Sequence, residues 1–546
     1  MSKSTILRGT LLLTGATFLS KFLGMIYTIP FESLVGASGA KLYGLAYGPY
    51  TIFLSLSTVG IPLAVSKFVS KYNSLGDYKT SIQMYKLALR FMLVTGIVAF
   101  LIMFLGADLL AKLYIPKEAV GITESDVSMV LKMLSFALLI IPIMSITRGF
   151  FQGNESMGPT SISQIVEQIV RIGFLLVAVL LIIKVYNGST TLAIGFATFS
   201  AFIGAIASGI VLIWYWKKRK PYIDRQLNQQ VTTYKLSTRM MFNELFRYAG
   251  PFVIVGLAIP LYQQIDAITF ERTMISIGLT SSSYIDNAFS TINFYGHKLV
   301  MIPITLATGM SLASLPTLTK SFVEKNREQL FKQINQSLQV VLLLVIPAVL
   351  GMSVLSSEVW GAFYGLDKYI NLNASLLGWY APVALFFGLF SVTASILQSI
   401  SQQNYAIISL IAGLLLKGLL NIPFMHLFEA KGAIIATLIA SFVTVLLNIM
   451  RIKLAIQFSL RQITKRTILI GIFTAIMVLV VLLSKWVLQF WISYTDGRLA
   501  SIAILTVSVL AGASVYLWLS YVSTLLEHVL GSRIGFIDRL FKRKRA

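Results

Sequence analysis

The sequence predicts an all-α membrane protein with fourteen transmembrane helices, and its composition and hydropathy pattern support this fold class. The chain has 546 residues, of which 56% are hydrophobic and 12% are charged, and its mean hydropathy is +0.80. Soluble globular domains carry about 25% charged residues. Apolar stretches of about 20 residues, long enough for a helix to cross a bilayer, recur from end to end. These properties exclude a soluble enzyme and a disordered scaffold, and the absence of cysteine excludes a disulfide-rich secreted domain.

The apolar stretches are predicted to be helices because a backbone inside lipid must satisfy its own hydrogen bonds, as a helix or a closed barrel. A barrel requires alternating polarity over segments of about ten residues. Runs such as residues 174–183 do not alternate. We therefore predict spans at residues 9–30, 44–66, 87–107, 127–151, 159–183, 191–216, 248–270, 288–315, 335–357, 375–400, 404–426, 432–450, 467–490 and 499–524.

The distribution of charge predicts the orientation of these spans. The net charge is +24, from 45 lysines and arginines against 21 acids. An even number of spans places both termini on one side, and most of the basic residues fall there, including residues 217–220 and the tail 539–545. Cytoplasmic loops are enriched in lysine and arginine. The sequence therefore predicts a multi-pass protein with cytoplasmic N- and C-termini, and its basic loops do not require a nucleic-acid partner.

Weak internal similarity predicts two lobes. Residues 68–71 after span 2 resemble residues 322–325 after span 8, at an offset of 254 residues, and Arg171 matches Lys417 at an offset of 246. An offset of six spans preserves direction across the membrane, which indicates parallel repeats. The predicted organisation is an N-lobe (1–220, spans 1–6), a basic cytoplasmic linker (221–247), a C-lobe (248–460, spans 7–12), spans 13 and 14 (461–530) and a basic cytoplasmic tail (531–546).

Ionisable residues inside the spans are the candidate functional residues. A charge at the bilayer centre costs about 2.5–3.5 kcal/mol on insertion scales, so such residues normally face a bundle interior or an aqueous cavity. The alternative is a structural role, through ion pairing or through snorkelling of the side chain to the interface, which is favoured for the lysine near the end of span 4. The set comprises Lys21, Lys132, Glu167, Arg171, Asp266, Lys298 and Lys417.

The lysines of spans 1 and 8 are the strongest candidates. Lys21 lies near the middle of span 1 with no acid within four residues, and Lys298 follows His297 in span 8. If spans 1, 7 and 8 line one cavity, these two lysines outnumber Asp266 of span 7, and the cavity attracts anions. Asp266 would then be either an ion-coupling site or the counter-ion that offsets the charge of a buried lysine.

A polar stripe in span 5 leaves structure and function open. Glu167 and Arg171 are four residues apart, the spacing of an intrahelical ion pair, and Gln164 and Gln168 extend the stripe. Lys417 occupies the matching position of span 11, where a structural role is favoured. No glycine-rich phosphate loop occurs and the three histidines are scattered, so we predict no cofactor, no metal and no enzymatic activity.

Three segments carry a family resemblance: residues 20–24 (SKFLG), 60–64 (GIPLA), and 310–316 (MSLASLP) followed by 320–322. They resemble the multidrug/oligosaccharidyl-lipid/polysaccharide exporter superfamily, in particular its branch of lipid II flippases and stage V sporulation protein B-like polysaccharide transporters. The resemblance covers spans 1–12, and the extra pair matches the flippases better than the twelve-helix drug exporters. It places Lys21 and Lys298 where flippases carry cavity arginines. Lysine keeps the charge but loses bidentate pairing with phosphate, and Tyr27 and Phe53 replace two further arginines of other members.

The resemblance implies a flippase that moves lipid II to the outer leaflet of a bacterial cell membrane by alternating access. It also implies a tail groove involving spans 13 and 14. The expected partners are a polyprenyl-linked glycan and membrane lipids, and the cell-wall synthesis machinery is a candidate partner. The chain is expected to be a monomer. The alternatives are an exporter of other polyprenyl-pyrophosphate-linked oligosaccharides and a drug/cation antiporter, for which an acid-dominated cavity is expected. The proposed substrate-binding residues are Lys21, Lys298, Arg171 and Lys417, and the ion-coupling or charge-partner residues are Asp266 and Glu167.

Overall fold

The chain is helical almost throughout. The computed structural model describes residues 3–58, 60–230, 237–312 and 315–530, and these residues contain no β-strand. They form two compact units, which are divided between Asp286 and Asn287. The predicted all-α class is confirmed, whereas the predicted basic tail at 531–546 lies outside the described residues.

The second helix of the first unit, α2 (Thr28–Thr58), is long and bent. Its backbone departs from helical geometry at Gly36, whose φ of +62° favours glycine. A second glycine with positive φ, Gly60, precedes α3, and Pro62 follows in its first turn, where a missing backbone N–H breaks no helical hydrogen bond. The helices of this unit are α1 (Lys3–Ile26), α2 (Thr28–Thr58), α3 (Ile61–Ser74), α4 (Tyr78–Leu105), α5 (Ala107–Tyr114), α6 (Glu124–Ser135), α7 (Ala137–Gly153), α8 (Met157–Leu180), α9 (Thr190–Asn228), α10 (Thr238–Ser276) and α11 (Ser282–Ser290), which contains the boundary.

The second unit continues from α11 through a π-helical turn, Thr291–Tyr295. Such turns are rare in proteins, and those that occur often lie at functional sites. The remaining helices are α12 (Gly296–Leu312), α13 (Leu315–Val323), α14 (Arg327–Val354), α15 (Ser356–Tyr364), α16 (Ile370–Tyr380), α17 (Val383–Ser399), α18 (Gln403–Phe428), α19 (Ala430–Ile456), α20 (Arg461–Leu488), α21 (Arg498–Val522) and α22 (Leu525–Leu530).

Within the described residues, twelve helical segments are long and apolar enough to cross a membrane. They coincide with predicted spans 2–7 and 9–14. Span 1 corresponds mainly to α1, whose apolar described portion is the shorter segment Gly15–Ile26. Span 8 corresponds to the end of α11, the π-helical turn and the 17-residue α12. Within the described residues, each of the fourteen predicted spans therefore overlaps helical structure.

The internal repeat is visible in the order and length of the helices. Helices α4 and α14 both have 28 residues and begin 249 residues apart, at Tyr78 and Arg327. Each is capped by a side chain that accepts from a backbone N–H three residues later, Asp77 in the first unit and Asn326 in the second. Both helices are therefore entered by the same kind of turn.

A second pair of turns repeats in the same way. The turn between α7 and α8 and the turn between α17 and α18 are 246 residues apart, and each contains a residue with positive φ, Glu155 and Ser401. The predicted match of Arg171 with Lys417 has this offset and is confirmed by it. The predicted offset of 254 for residues 68–71 is wrong by five residues, because the turns rather than the short motif set the register at 249.

The helix that follows the predicted linker packs in the first unit. Helix α9 extends to Asn228 and α10 begins at Thr238, so much of the segment predicted as a linker (221–247) is helical. Met241, Leu245 and Ala249 of α10 are buried in the hydrophobic core formed with α3, α4 and α7. Span 7, predicted to open the C-lobe, therefore belongs to the compact unit that ends at Asp286.

The last two spans are attached to the second unit by polar contacts. Lys485 of α20 forms an ion pair of 2.8 Å with Glu358 of α15, whose side chain is fully buried. Arg498 at the start of α21 donates to the carbonyl oxygens of Ala362 and Phe363. These contacts hold α20 and α21 against α15, at one end of the unit.

Replacement of Lys485 by methionine should destabilise this attachment, because the Glu358 carboxylate would lose its counter-ion. Breaking a buried pair costs 3–5 kcal/mol, and we expect about 3 kcal/mol here because Lys485 is partly exposed. The measurement is the thermal unfolding midpoint of the detergent-purified protein. Lys368→Met, at an exposed position of the same unit, is the control. Equal midpoints for the two variants would contradict the prediction, and Glu358→Gln combined with Lys485→Met should recover most of the loss.

Candidate functional site

A partly buried ion pair joins three helices of the first unit. The guanidinium of Arg148 in α7 lies 2.6 Å from a carboxylate oxygen of Glu167 in α8. It also donates to Ser163 at 2.9 Å and to Ser208 of α9 at 2.7 Å. Since the two charges cancel, this cluster connects helices without leaving a net charge in the membrane. Arg148 is not among the residues predicted from the sequence, although the polar stripe on α8 includes its partner Glu167.

The second cation of this region has neutral partners. Nη2 of Arg171 donates to the hydroxyl oxygens of Tyr43, at 3.1 Å, and Tyr47 of α2. The two tyrosine rings stack with centroids 4.8 Å apart, and the Arg171 guanidinium lies 5.4 Å from the Tyr47 ring. The intrahelical pair suggested by the spacing does not form, because Arg148 binds Glu167. Arg171 has no carboxylate partner among the residues that the structure describes, so it contributes an uncompensated positive charge.

Lys21 lies on the helix that packs against this stripe. On α1, the Thr17 hydroxyl is 3.5 Å from the Gln164 side-chain oxygen of α8. A Cβ atom placed on Gly24 would lie 3.0 Å from the Gln168 amide nitrogen. Lys21 lies between these two contacts along α1, is exposed, and has no hydrogen-bond or ion-pair partner in the described part of the chain. Neighbouring helices α1 and α8 therefore each carry a cation without a described counter-ion.

The position equivalent to Arg171 in the second unit has a different environment. Lys417 is fully buried. Its ammonium donates to the Thr437 hydroxyl and, at 3.5 Å, to the carbonyl oxygen of Ala433, both in α19. This placement favours the structural interpretation, in which Lys417 joins α18 to α19.

The remaining predicted site residues divide between the two units. In the second unit, Lys298 follows the π-helical turn, and its ammonium lies 4.5 Å from the Phe294 ring. The neighbouring His297 forms a 2.8 Å hydrogen bond with the Tyr380 hydroxyl. Asp266 is buried in α10 of the first unit. The cavity predicted to unite Lys21, Asp266 and Lys298 stays a prediction.

A buried charged triad that was not predicted from the sequence joins α2, α10 and α11. Lys41 of α2 is 1% exposed and lies 2.7 Å from Glu271 of α10 and 2.8 Å from Asp286 of α11. A second contact joins the same two helices, because a Cβ on Gly48 would lie 2.9 Å from the side-chain oxygen of Gln264. Gly48 lies seven residues after Lys41 on α2, and Gln264 lies seven residues before Glu271 on α10. Helices α2 and α10 therefore pack antiparallel. Lys41 was overlooked because it lies in the joint predicted between spans 1 and 2.

An apolar groove of about 520 Å³ lies between α2, α3, α4 and α10. Phe91 of α4 and Phe246 of α10 meet at one part of it, with ring centroids 4.8 Å apart. Phe53, one of the positions where the resemblance expects an arginine, also lines it. The groove can therefore accept an apolar chain but offers no charge to a head group at that position.

Comparison with known proteins assigns the family. Residues 6–322 match the family profile described as polysaccharide biosynthesis protein, and residues 275–424 match the profile described as MatE. This chain belongs to the polysaccharide biosynthesis protein family. It is 46% identical over 539 residues to lipid II flippase MurJ of Bacillus subtilis (strain 168), covering 98% of this chain and 99% of that protein. Its predicted membership of the multidrug/oligosaccharidyl-lipid/polysaccharide exporter superfamily is confirmed.

Two further members of the comparison extend this relationship. Stage V sporulation protein B of Bacillus subtilis (strain 168) is 23% identical, with 76% of this chain and 77% of that protein covered. A solved structure, "Lipid II flippase MurJ, inward closed conformation", superimposes with a TM-score of 0.66 at 17% identity, covering 94% of this chain and 99% of that one. The all-α fold class predicted from the sequence is therefore confirmed.

Replacement of Lys41 by methionine should destabilise the first unit, because Glu271 and Asp286 would be left close together without their cation. Breaking such a buried pair costs about 3–5 kcal/mol. The check is the urea concentration at half-unfolding for the detergent-purified protein. The exposed Lys112 of α5 provides the control variant, Lys112→Met. The combination Lys41→Met, Glu271→Gln and Asp286→Asn should recover much of the lost stability, and a wild-type midpoint for Lys41→Met alone would refute this account.

Proposed function

We propose that this chain is a flippase that carries lipid II from the inner to the outer leaflet of a bacterial cell membrane. The observation that carries the proposal is the 46% identity, over nearly the full length of both chains, to lipid II flippase MurJ of Bacillus subtilis. Uncompensated cations on α1 and α8 of a multi-pass membrane protein supply the matching chemistry. The chain acts as a transporter and not as an enzyme.

The substrate sets a specific physical problem. A polyprenyl-linked sugar has an anionic pyrophosphate that lipid cannot accept and a hydrocarbon tail that water cannot accept. Charges attract more strongly where the surroundings are less polar than water. Lys21 and Arg171 provide positive charge within the spans, so a pyrophosphate that leaves the aqueous phase would regain there part of the interaction that it loses with water.

Arg171 is suited to recognise phosphate by its geometry as well as its charge. A guanidinium presents five N–H donors in a rigid fork that fits phosphate oxygens. Only Nη2 donates to the tyrosine hydroxyls of α2 among the described hydrogen bonds, so Nε and Nη1 keep their donors for a ligand. The tyrosines fix the orientation of the fork without neutralising it. Arg171 is therefore the principal candidate for head-group binding.

Two further residues stay proposals within their own units. Lys298 of the second unit is a proposed substrate-binding residue, and Asp266 of the first unit is the proposed ion-coupling residue. Alternating access would then expose the head group on the other side of the membrane. The apolar groove of the first unit and the surfaces of spans 13 and 14 are candidate paths for the tail.

The proposed orientation has cytoplasmic termini, because the lysine-rich and arginine-rich joints lie on the side of the N-terminus. The membrane potential is worth about 2.3 kcal/mol per charge per 100 mV. An inside-negative potential therefore favours outward movement of the anionic head group. The cell-wall synthesis machinery, which consumes the product outside, is the candidate partner.

Depletion of the protein in its own host tests the proposal. With no redundant flippase present, lipid II should accumulate in the cytoplasmic leaflet, as measured by the access of an impermeant modifying reagent to the outer leaflet. Unchanged outer-leaflet lipid II would overturn the function. Accumulation of a different polyprenyl-linked oligosaccharide would instead support the alternative exporter.

Replacement of Arg171 by glutamine should reduce lipid II flipping at least tenfold in proteoliposomes, because the principal fork for the pyrophosphate is lost. Arg171→Lys should be intermediate, since lysine keeps the charge without bidentate geometry. The measurement is the rate at which fluorescent lipid II becomes accessible in the opposite leaflet. Arg225→Gln, at an exposed position of α9, is the matched control. Folded Arg171→Gln protein with the wild-type rate would contradict this role.

A further inference from the structure

A hydroxyl-lined cleft lies at one end of the second unit, apart from the residues assigned above. Its volume is about 400 Å³, within the range of pockets that hold small molecules. Helices α14, α15, α16 and α19 contribute to its wall. The residues that matter for its chemistry are Ser353, Ser356, Ser375, Gly378, Trp379 and Leu438.

The cleft is shaped by a close approach of α16 to the junction of α14 and α15. The Ser353 hydroxyl donates to the carbonyl oxygen of Gly378 at 2.8 Å. A Cβ atom at Gly378 would lie 3.2 Å from both the Ser353 carbonyl oxygen and the Ser356 hydroxyl oxygen. Glycine at this position therefore permits the close approach of α16 to the two serines, which a side chain would hinder.

The lining combines free hydroxyls with an aromatic face. Ser356 and Ser375 have no hydrogen-bond partner in the described chain, and each hydroxyl can donate and accept. Trp379 is 48% exposed and has the Lys431 ammonium 5.9 Å from its ring. A ligand that fits must have an apolar face for the indole and hydroxyls along its edge. A sugar ring has both.

The position of the cleft along the helices places it on the outer side in the proposed orientation. Ser353 lies next to the last residue of α14, at the end opposite the α13–α14 turn. The helical segment Ile370–Ser399 has 30 residues. At 1.5 Å per residue it is about 45 Å long, against a hydrocarbon core of about 30 Å. Ser375 and Trp379, close to its start, can therefore lie at head-group level.

An exposed tryptophan at this level has a simpler explanation, because tryptophan is enriched at membrane interfaces. An interfacial anchor requires only the indole. It does not account for two serine hydroxyls beside the ring that have no partner in the described chain. These hydroxyls, together with the exposed indole, favour a ligand.

We propose that this cleft binds a sugar ring of the lipid-linked glycan at the outer face of the protein. It would hold the glycan after its head group has crossed, with the sugar stacked on Trp379 and hydrogen-bonded to Ser356 and Ser375. This inference rests on the proposed flippase function, since that function brings a glycan to the outer face.

The test uses a soluble sugar that lacks lipid and phosphate. The full-length protein in nanodiscs is titrated with di-N-acetylchitobiose, and binding is followed by saturation-transfer NMR. The wild-type protein should show saturation transfer to the disaccharide. Trp379→Leu should weaken binding at least tenfold, whereas Trp379→Phe, which keeps an aromatic face, should retain most of it. Trp491→Leu is the matched control, because Trp491 is 76% exposed in the same unit and lies outside the cleft.

A second variant, Ser375→Leu, fills the cleft without removing the indole and should also weaken binding. Absence of binding to the wild-type protein, or equal binding by Trp379→Leu and Trp491→Leu, overturns the proposal. Lipid II flipping is measured on the same preparations. Flipping without disaccharide binding would reject the cleft and leave the proposed function standing. Disaccharide binding that depends on Trp379, without lipid II flipping, would support the sugar site and reject lipid II as the cargo.

Discussion

The low polarity of the membrane interior is the constraint on which this structure depends, because each charge within it needs a partner. Two kinds of solution occur in the described residues. Arg148 is neutralised by Glu167, and Lys41 is bound by two carboxylates. Arg171 and Lys417 are instead held by uncharged groups. In the first kind, the charges of the ion pair offset each other while the pair joins two helices. In the second kind, the positive charge is not offset and stays within the spans.

The internal repeat places two cations of the second kind in different surroundings. Arg171 and Lys417 occupy equivalent positions of α8 and α18, yet Lys417 is buried against α19 while Arg171 keeps donors for a ligand. Turns and helix lengths repeat because they set the framework of each unit. The side chains around the two cations do not repeat. Only in the first unit do tyrosine hydroxyls orient a guanidinium whose other donors stay available among the described hydrogen bonds.

Much of the fold could be predicted because its signals are local: apolar runs define the spans, and Arg171 already matched Lys417 at the observed offset. The site was harder, because its contacts join distant residues. Lys41 lies 245 residues from Asp286 along the chain, and no local pattern connects them. The spacing of Glu167 and Arg171 suggested a pair within α8, but the carboxylate is bound from α7. Hydropathy placed Glu167 and Arg171 within a span but left Lys41 in a joint, and the partners of all three depend on tertiary packing.

In the proposed function, Arg171 supplies positive charge to a pyrophosphate head group. The affinity of the purified protein for undecaprenyl pyrophosphate, measured by native mass spectrometry, tests this role by comparing Arg171→Gln with Lys417→Met, which removes a charge at the equivalent position. We expect at least tenfold weaker binding for Arg171→Gln, or about 1.4 kcal/mol, and near-wild-type affinity for folded Lys417→Met. Equal affinities for Arg171→Gln and the wild type would contradict this role.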